Sequence, residues 1–329
     1  MPSPILMPPK VYLDTNHLIH IDKLRAGKAV PQKCRAAYEL IDELIRKHQI
    51  GLVFNFMSPI EWLDGNATLD TARQLAAVVD SAKLQYYFEG DEFFLTAELV
   101  AECRRIDATL NLPLLEILQV RNDSGRIRTT PGTLCKAIPG FYEGRPIPQY
   151  LTGIEPPAEI AVYSVGKYVE GAYNFRQANP ESVVDRVAGF NSTLIDDMTK
   201  AIPRLRDKDL VSISDIPRWL KRYLRIDKIL SAMNPDCNID DIVGRIEIER
   251  CPGLALWFKV REHRIRANYA PKDNDIDDWI FIPAMPYVDL TLTEKNLRDL
   301  VHRADSRLKA SVVSNPNDAA DFLRDWFRS

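Results

Sequence analysis

The spacing of apolar residues changes along the chain. Lys10–Leu13 (KVYL) is a short β-rich run that stops at Asp14-Thr15-Asn16. Leu18, Ile19, Ile21 and Leu24 then recur at helical spacing as far as Gly27. A second helix, opened by Pro31, carries Ala36, Leu40, Ile41, Leu44 and Ile45 on one face to about His48. Leu52–Phe56 reads as a buried strand, and Ser58-Pro59 starts a helix with serine at N-cap and proline at N1. A further helix is predicted over 68–82 and a third strand over Leu84–Phe88. This β-α-α-β-α-α-β order predicts a parallel sheet with helices on its faces.

From about residue 90 to 266 the pattern is mostly helical, broken by Pro- and Gly-rich loops such as Thr130-Pro131-Gly132, Pro139-Gly140 and the run 145–157. Alternation then returns. A helix is expected over Asp275–Ile282, stopped by Pro283, followed by a strand at Asp289–Thr293 and a helix at Glu294–Ala304. A strand at Ala310–Val313 and a helix at Pro316–Phe327, with Ala319, Phe322, Leu323 and Trp326 at helical spacing, complete the chain. Neither end alone has enough strands for a typical sheet, so the two ends are expected to share one. The organisation that follows is an α/β domain split into 1–88 and 267–329, with 89–266 as a mostly helical insertion.

Composition narrows the classes. Hydrophobic residues make up 46% of the 329 residues and charged residues 27%, which supplies a core and excludes wholesale disorder. Net charge is −3, so any polyanion site must be a local patch. The five cysteines are odd in number and form no CxxC pair, which argues against a disulfide framework or a zinc ribbon and suits a reducing, cytoplasmic setting. No apolar stretch is long enough for a membrane span, and the first residues lack the apolar segment of a signal peptide.

In an open parallel sheet, ligands bind outside the carboxyl ends of the strands. Asp14 directly follows the first strand. Glu61 and Asp64 fall in the first turns of the helix after the second strand, three residues apart and on one face. Asp273, Asp275, Asp277 and Asp278 crowd one helix start, and Glu294 directly follows the strand Asp289–Thr293. Asp289, five residues earlier on that strand, belongs to the opposite edge. Carboxylates brought together from four segments repel one another, and the stable solution is a hard divalent cation with oxygen ligands. Mg²⁺ or Mn²⁺ fits such a site.

At these residues the chain resembles the PIN-domain nucleases. Val11-Tyr12-Leu13-Asp14-Thr15-Asn16 looks like that family's opening strand and Asp-x-Asn motif. Ser58-Pro59-Ile60-Glu61-Trp62-Leu63-Asp64-Gly65 is similar to its second-acid helix. Asp275–Asp278, followed by Ala284–Glu294, looks like the third-acid helix running into a strand that ends in Thr293 and an acid. The resemblance covers roughly the first 85 and last 65 residues and leaves out the middle. It implies a PIN-like three-layer α/β/α sandwich with a parallel sheet of four or five strands, and metal-dependent endonuclease chemistry on RNA ahead of DNA. It implies Asp14 as the first acid, Asp64 or Glu61 as the second, Asp278 or its neighbours Asp275 and Asp277 as the third, and Glu294 as the fourth. Asp14, Asp275 or Asp278, and Glu294 would hold the metal, with Asn16 and Thr293 supporting. The fourth position departs from the family's usual Asp by one methylene. The family's habit of pairing suggests a homodimer.

Further residues concern the substrate. His17 is a candidate phosphate contact. Arg204, Arg206, Lys208, Arg218, Lys221, Arg222, Arg225 and Lys228 accumulate with Trp219 and Tyr223 between them. Arg261, Arg264 and Arg266 lie on a second helix that leads towards the acid cluster. Local cations and stacking aromatics are what single-stranded RNA requires. The helical middle could equally present a surface to a protein partner. The competing reading is an inactive PIN-like scaffold that binds RNA or a protein. A haloacid-dehalogenase-type phosphatase ranks below both, because its second Asp is replaced here by Asn16.

Overall fold

Five strands form one all-parallel sheet in the order β3-β2-β1-β4-β5, so the fold is α/β. The strands are β1 (Lys10–Leu13), β2 (Gly51–Asn55), β3 (Gln85–Phe88), β4 (Leu290–Leu292) and β5 (Val312–Val313). In this computed structural model the described residues are 8–55, 62–63, 68–82, 85–88, 91–110, 165–178, 226–267 and 281–328. The two ends of the chain do share one sheet. Val11, Tyr12 and Leu13 of β1 pair with Leu290, Thr291 and Leu292 of β4, across the whole length of the intervening sequence. β4 is buried at every position. Its sequence alternates Leu290-Thr291-Leu292, yet Thr291 is buried with the leucines, because a central parallel strand is covered on both faces.

Helix α1 (Thr15–Arg25) follows β1, and α2 (Arg35–Arg46) follows a single 3₁₀ turn at Gln32–Cys34. The buried stripe of α2 is Ala37, Tyr38, Ile41, Asp42, Leu44 and Ile45. It is rotated from the expected one, and Ala36 is exposed. The rotation brings in two polar side chains, each with a partner. Asp42 pairs with Arg25 of α1 at 2.7 Å and with Arg46 at 3.0 Å, and Tyr38 meets His17. Helix α3 (Leu69–Asp80) is capped by Thr68, whose hydroxyl accepts from the Thr71 N–H. α4 (Asp91–Ile106) follows β3.

The chain divides into two compact units. One comprises Met1–Phe88, Val162–Ala188 and Tyr287–Ser329, and the other Glu89–Ala161 and Gly189–Pro286. These units differ from the bounds expected of the sequence in two places. α5 (Val165–Ala178), expected inside the insertion, packs on α3 within the sheet unit, and the C-terminal return begins at Tyr287 and not at residue 267. The physical link is Asp80 at the end of α3. Its carboxylate accepts from the N–H groups of Val165 (2.7 Å) and Gly166 (3.0 Å), capping α5 from another helix.

In the second unit, α4 packs with α7 (Ile239–Gly244) and α8 (Pro252–Arg266), while α6 (Ile226–Met233) meets α7. Two buried glutamates of α4 organise it. Glu98 accepts from the N–H groups of Gly253 (2.7 Å) and Leu254 (2.8 Å), the first turn of α8. Glu102 takes Arg105 on both carboxylate oxygens and also the N–H of Glu247. Beyond α8, the last helices belong to the sheet unit: α9 (Lys295–Ala304) after β4 and α10 (Pro316–Trp326) after β5, the latter packed on α2.

Candidate metal centre at the strand edge

β1 and β4 end side by side; Asp14 directly follows β1, Glu294 follows β4 after Thr293, and each serves as a helix N-cap. Leu13 is in register with Leu292, and the N–H of Asp14 donates to the Leu292 carbonyl at 3.0 Å. Asp14 therefore stands level with Thr293, one strand spacing away, about 4.8 Å. Asp14 is the N-cap of α1 and Glu294 the N-cap of α9, yet neither side chain makes the capping bond. An Asp at that position ordinarily accepts from the second or third N–H of its helix. Here both carboxylates forgo that stabilisation, and the two helix starts have no acid in their first turns.

What the carboxylates do instead is legible in their partners. Asn16 donates its Nδ2 to Glu294 Oε1 at 3.0 Å, joining residues 278 apart in sequence. Asp14 is 8% exposed, and its carboxyl pKa is pushed up to about 6. Burial is the larger cause and the negative charge of Glu294 the second, while the N–H groups of Thr15 and Glu294 and the Thr293 hydroxyl pull it back. The Thr293 hydroxyl is buried and makes no hydrogen bond of full geometry, so its pull on Asp14 is only the weak one of a nearby dipole. Trp62, fully buried, donates its indole N–H to Thr15 Oγ1 at 3.2 Å and so fastens residue 62 to the turn that carries Asp14.

The structure thus brings together Asp14, Asn16, Thr293 and Glu294 from the expected set. Glu61, Asp64, Asp275, Asp277 and Asp278 lie outside the described residues. Among the described residues no group of three His, Cys, Asp or Glu side chains converges as a metal site. Asp289 sits at the opposite edge, where its carboxylate accepts from the Lys10 N–H at 2.8 Å.

His17 is corrected as a phosphate contact. Its Nδ1 meets the Tyr38 hydroxyl at 2.9 Å, and burial lowers its pKa to about 4. A neutral imidazole held by Tyr38 brings no positive charge to a phosphate. The three arginines do not share one exposed face either. Arg261 lies over the Trp257 ring, 5.5 Å from its centroid, and Arg264 is buried. Of Arg266 the structure describes only the backbone, and the basic run from Arg204 to Arg225 lies outside the described residues. The signal that could have placed His17 is the rotated stripe of α2, which points Tyr38 inward towards α1.

The four described cysteines are free. No helix among the described residues is long and apolar enough to cross a membrane. The chain matches no family model, no curated protein and no solved structure.

Proposed function

We propose that the protein is a PIN-like, Mg²⁺- or Mn²⁺-dependent nuclease, an endoribonuclease. The observation that carries this reading is the Asp14–Glu294 pair: two acids at the ends of adjacent parallel strands, neither making the side-chain capping bond of its own helix, one buried and half-protonated near pH 6 because of burial and the other's charge. Such an arrangement is costly in isolation and becomes favourable when a hard cation neutralises it. The donor set fits one: carboxylate oxygens, a threonine hydroxyl without a hydrogen bond of its own and an asparagine holding one carboxylate.

Asp14 and Glu294 would hold the cation, joined on this reading by Asp64 or Glu61 and by Asp278 or Asp275. A bound divalent ion at such a site lowers the pKa of water and stabilises charge on a phosphoryl group. The chain's own residues supply the rest. Asn16 fixes the Glu294 carboxylate, and the N–H groups of Thr15 and Glu294 orient Asp14. Trp62 ties the segment directly after Glu61 to Thr15. The PIN-like reading adds helices layered on both faces of the sheet, and the free thiols suit a cytoplasmic setting. RNA is favoured over DNA by the resemblance, and a homodimer and a protein partner on the helical unit belong to the same proposal.

The test is a panel of single-stranded RNA and DNA incubated with Mn²⁺, Mg²⁺ or EDTA, beside Asp14→Asn. Metal-dependent cleavage lost in the variant supports the reading and names the nucleic acid. Binding of RNA without cleavage in either metal, by a folded protein, replaces it with the non-catalytic scaffold.

A further inference from the structure

β5 adds a third strand end to the edge that carries the acid pair. Leu292 of β4 is in register with Val313 of β5, and the Thr293 N–H donates to the Val313 carbonyl at 2.9 Å. Ser314 therefore stands level with Thr293, as Asp14 does on the other side. Leu13, Leu292 and Val313 all enter one apolar core, so strand alternation turns Asp14, Thr293 and Ser314 to the opposite face. The three form a row about 10 Å across, two strand spacings. The Thr293 hydroxyl in its middle is buried and makes no hydrogen bond of full geometry.

A cation reaches this row at Ser314. Arg298 of α9, one turn after Glu294, donates Nη1 to Ser314 Oγ at 2.6 Å. Its Nε and Nη2 both donate to Oδ1 of the next residue, Asp299, the former at 2.9 Å. A guanidinium has five N–H donors, so one remains on each terminal nitrogen. The side chain is 24% exposed, which leaves it within reach of a ligand from solvent. Held at both ends, it has little rotamer freedom left to lose on binding. Lys295, exposed, lies in the same first turn of α9. Cations at the start of a helix oppose its dipole, so the stability of α9 does not account for their place. In a chain of net charge −3 they put positive charge beside the acid pair, where the backbone of a bound polyanion passes.

We propose that Arg298 is a substrate-binding residue of this edge and holds the nucleic-acid phosphate next to the one at the cation. The inference rests on the nuclease reading above and adds the contact that seats the strand. A guanidinium fork matches two phosphate oxygens, and charge-assisted bonds of this kind are the strong ones. Asp299 fixes the fork and offsets its charge. Removing Asp299 therefore frees two donors and a full positive charge for phosphate. An Arg298 that only tied α9 to the end of β5 would gain nothing from that loss.

The experiment is titration of labelled single-stranded RNA by fluorescence anisotropy, on the whole chain in EDTA, where metal-dependent cleavage does not run. Salt is varied between about 50 and 200 mM. The proteins are the wild type, Arg298→Gln, Arg298→Lys, Asp299→Asn and the double variant Arg298→Gln with Asp299→Asn, each with a thermal melt. Arg307→Gln is the charge control, since Arg307 pairs with Asp305 beyond the far end of α9. Arg298→Gln is expected to lose roughly tenfold in affinity, and its slope of log affinity against log salt to shrink by about 0.7. Arg298→Lys keeps the charge and loses the fork, so it should keep the slope and lose part of the affinity; it decides the matter if the glutamine variant melts low. Asp299→Asn should bind more tightly, the double variant should show no such gain, and Arg307→Gln should match the wild type. In Mn²⁺, Arg298→Gln should raise KM for RNA and change kcat less. Unchanged binding and unchanged KM in folded Arg298→Gln overturn this inference and leave the nuclease reading standing. RNA bound through Arg298 without cleavage by the wild type supports the contact and overturns the nuclease. Neither binding nor cleavage by the wild type overturns both.

Discussion

Replacing Asp14 by asparagine should make the protein more stable at neutral pH, and only there. The Asp14 carboxyl titrates near 6 in the fold against an ordinary 3.8, because burial and the Glu294 charge both disfavour its ionised form. A folded pKa above the unfolded one means that the native state binds the extra proton. The associated stability is fully present below about pH 4, falls as pH rises towards 6, and is gone above it. A rise from 3.8 to about 6 corresponds to a penalty on the order of 3 kcal/mol once the group is ionised, at pH 7.5. Asparagine keeps the shape and one acceptor and removes the charge. In EDTA, Asp14→Asn should therefore gain up to about 3 kcal/mol at pH 7.5, or roughly 5–10 °C in melting temperature if the sheet unit melts as one transition. At pH 4 the two proteins should coincide. The assay is a series of urea or thermal melts of both proteins between pH 4 and 8; their difference isolates Asp14 from every other titrating group. Mn²⁺ should narrow the gap above pH 6 by stabilising the wild type alone. A variant less stable than the wild type at pH 7.5, or a difference that ignores pH, would refute the claim that Asp14 is a strained acid.

Other consequences can be checked separately. Glu294→Gln should lower the Asp14 titration midpoint, followed by carboxyl ¹³C NMR, but leave it above 3.8, since burial is the larger cause; a midpoint unmoved by the substitution would show that the two acids do not interact. Glu98→Ala strips two charge-assisted bonds from the start of α8 and should cost about 2–4 kcal/mol in urea unfolding. Gly253→Ala in the same turn places a Cβ 2.5 Å from the Pro283 carbonyl oxygen, a backbone atom that can move only with its chain. It should cost about 1–3 kcal/mol by overpacking, and a neutral result in the same assay would show that this close approach is not there.

Much of the sheet could be read from the sequence, because its strands are short runs rich in aliphatic and aromatic residues, and all five end within one residue of the expected boundary. Asp14 and Glu294 were legible for a related reason: the strand-end rule singles out whichever acid follows a central strand, whatever lies between the two strands. Asn16 could be chosen as a supporting residue but not joined to Glu294, since nothing local signals a bond across 278 residues. Tyr38 was hidden by a one-residue rotation of the α2 stripe. Ala36 and Ala37 are equally apolar, and only the burial of Asp42 with Arg25 and Arg46 decides which faces inward. The return of α5 to the sheet unit was hidden too. A helix in a helical stretch shows no change of period, and its polar ties to α3, the Asp80 carboxylate and the Arg73–Glu170 pair, join residues far apart in sequence. His17 invited a phosphate role by type and proximity, and its actual partner, the Tyr38 hydroxyl, comes from another element.

The central claim is that the Asp14–Glu294 pair is the heart of a metal-dependent nuclease site. The most direct measurement is the rate of single-stranded RNA cleavage in Mn²⁺ by the wild type, Asp14→Asn and Glu294→Gln, each shown to be folded by its melt. The account predicts cleavage by the wild type, abolished by EDTA and by Asp14→Asn and strongly reduced by Glu294→Gln. Cleavage at the wild-type rate by folded Asp14→Asn would contradict it.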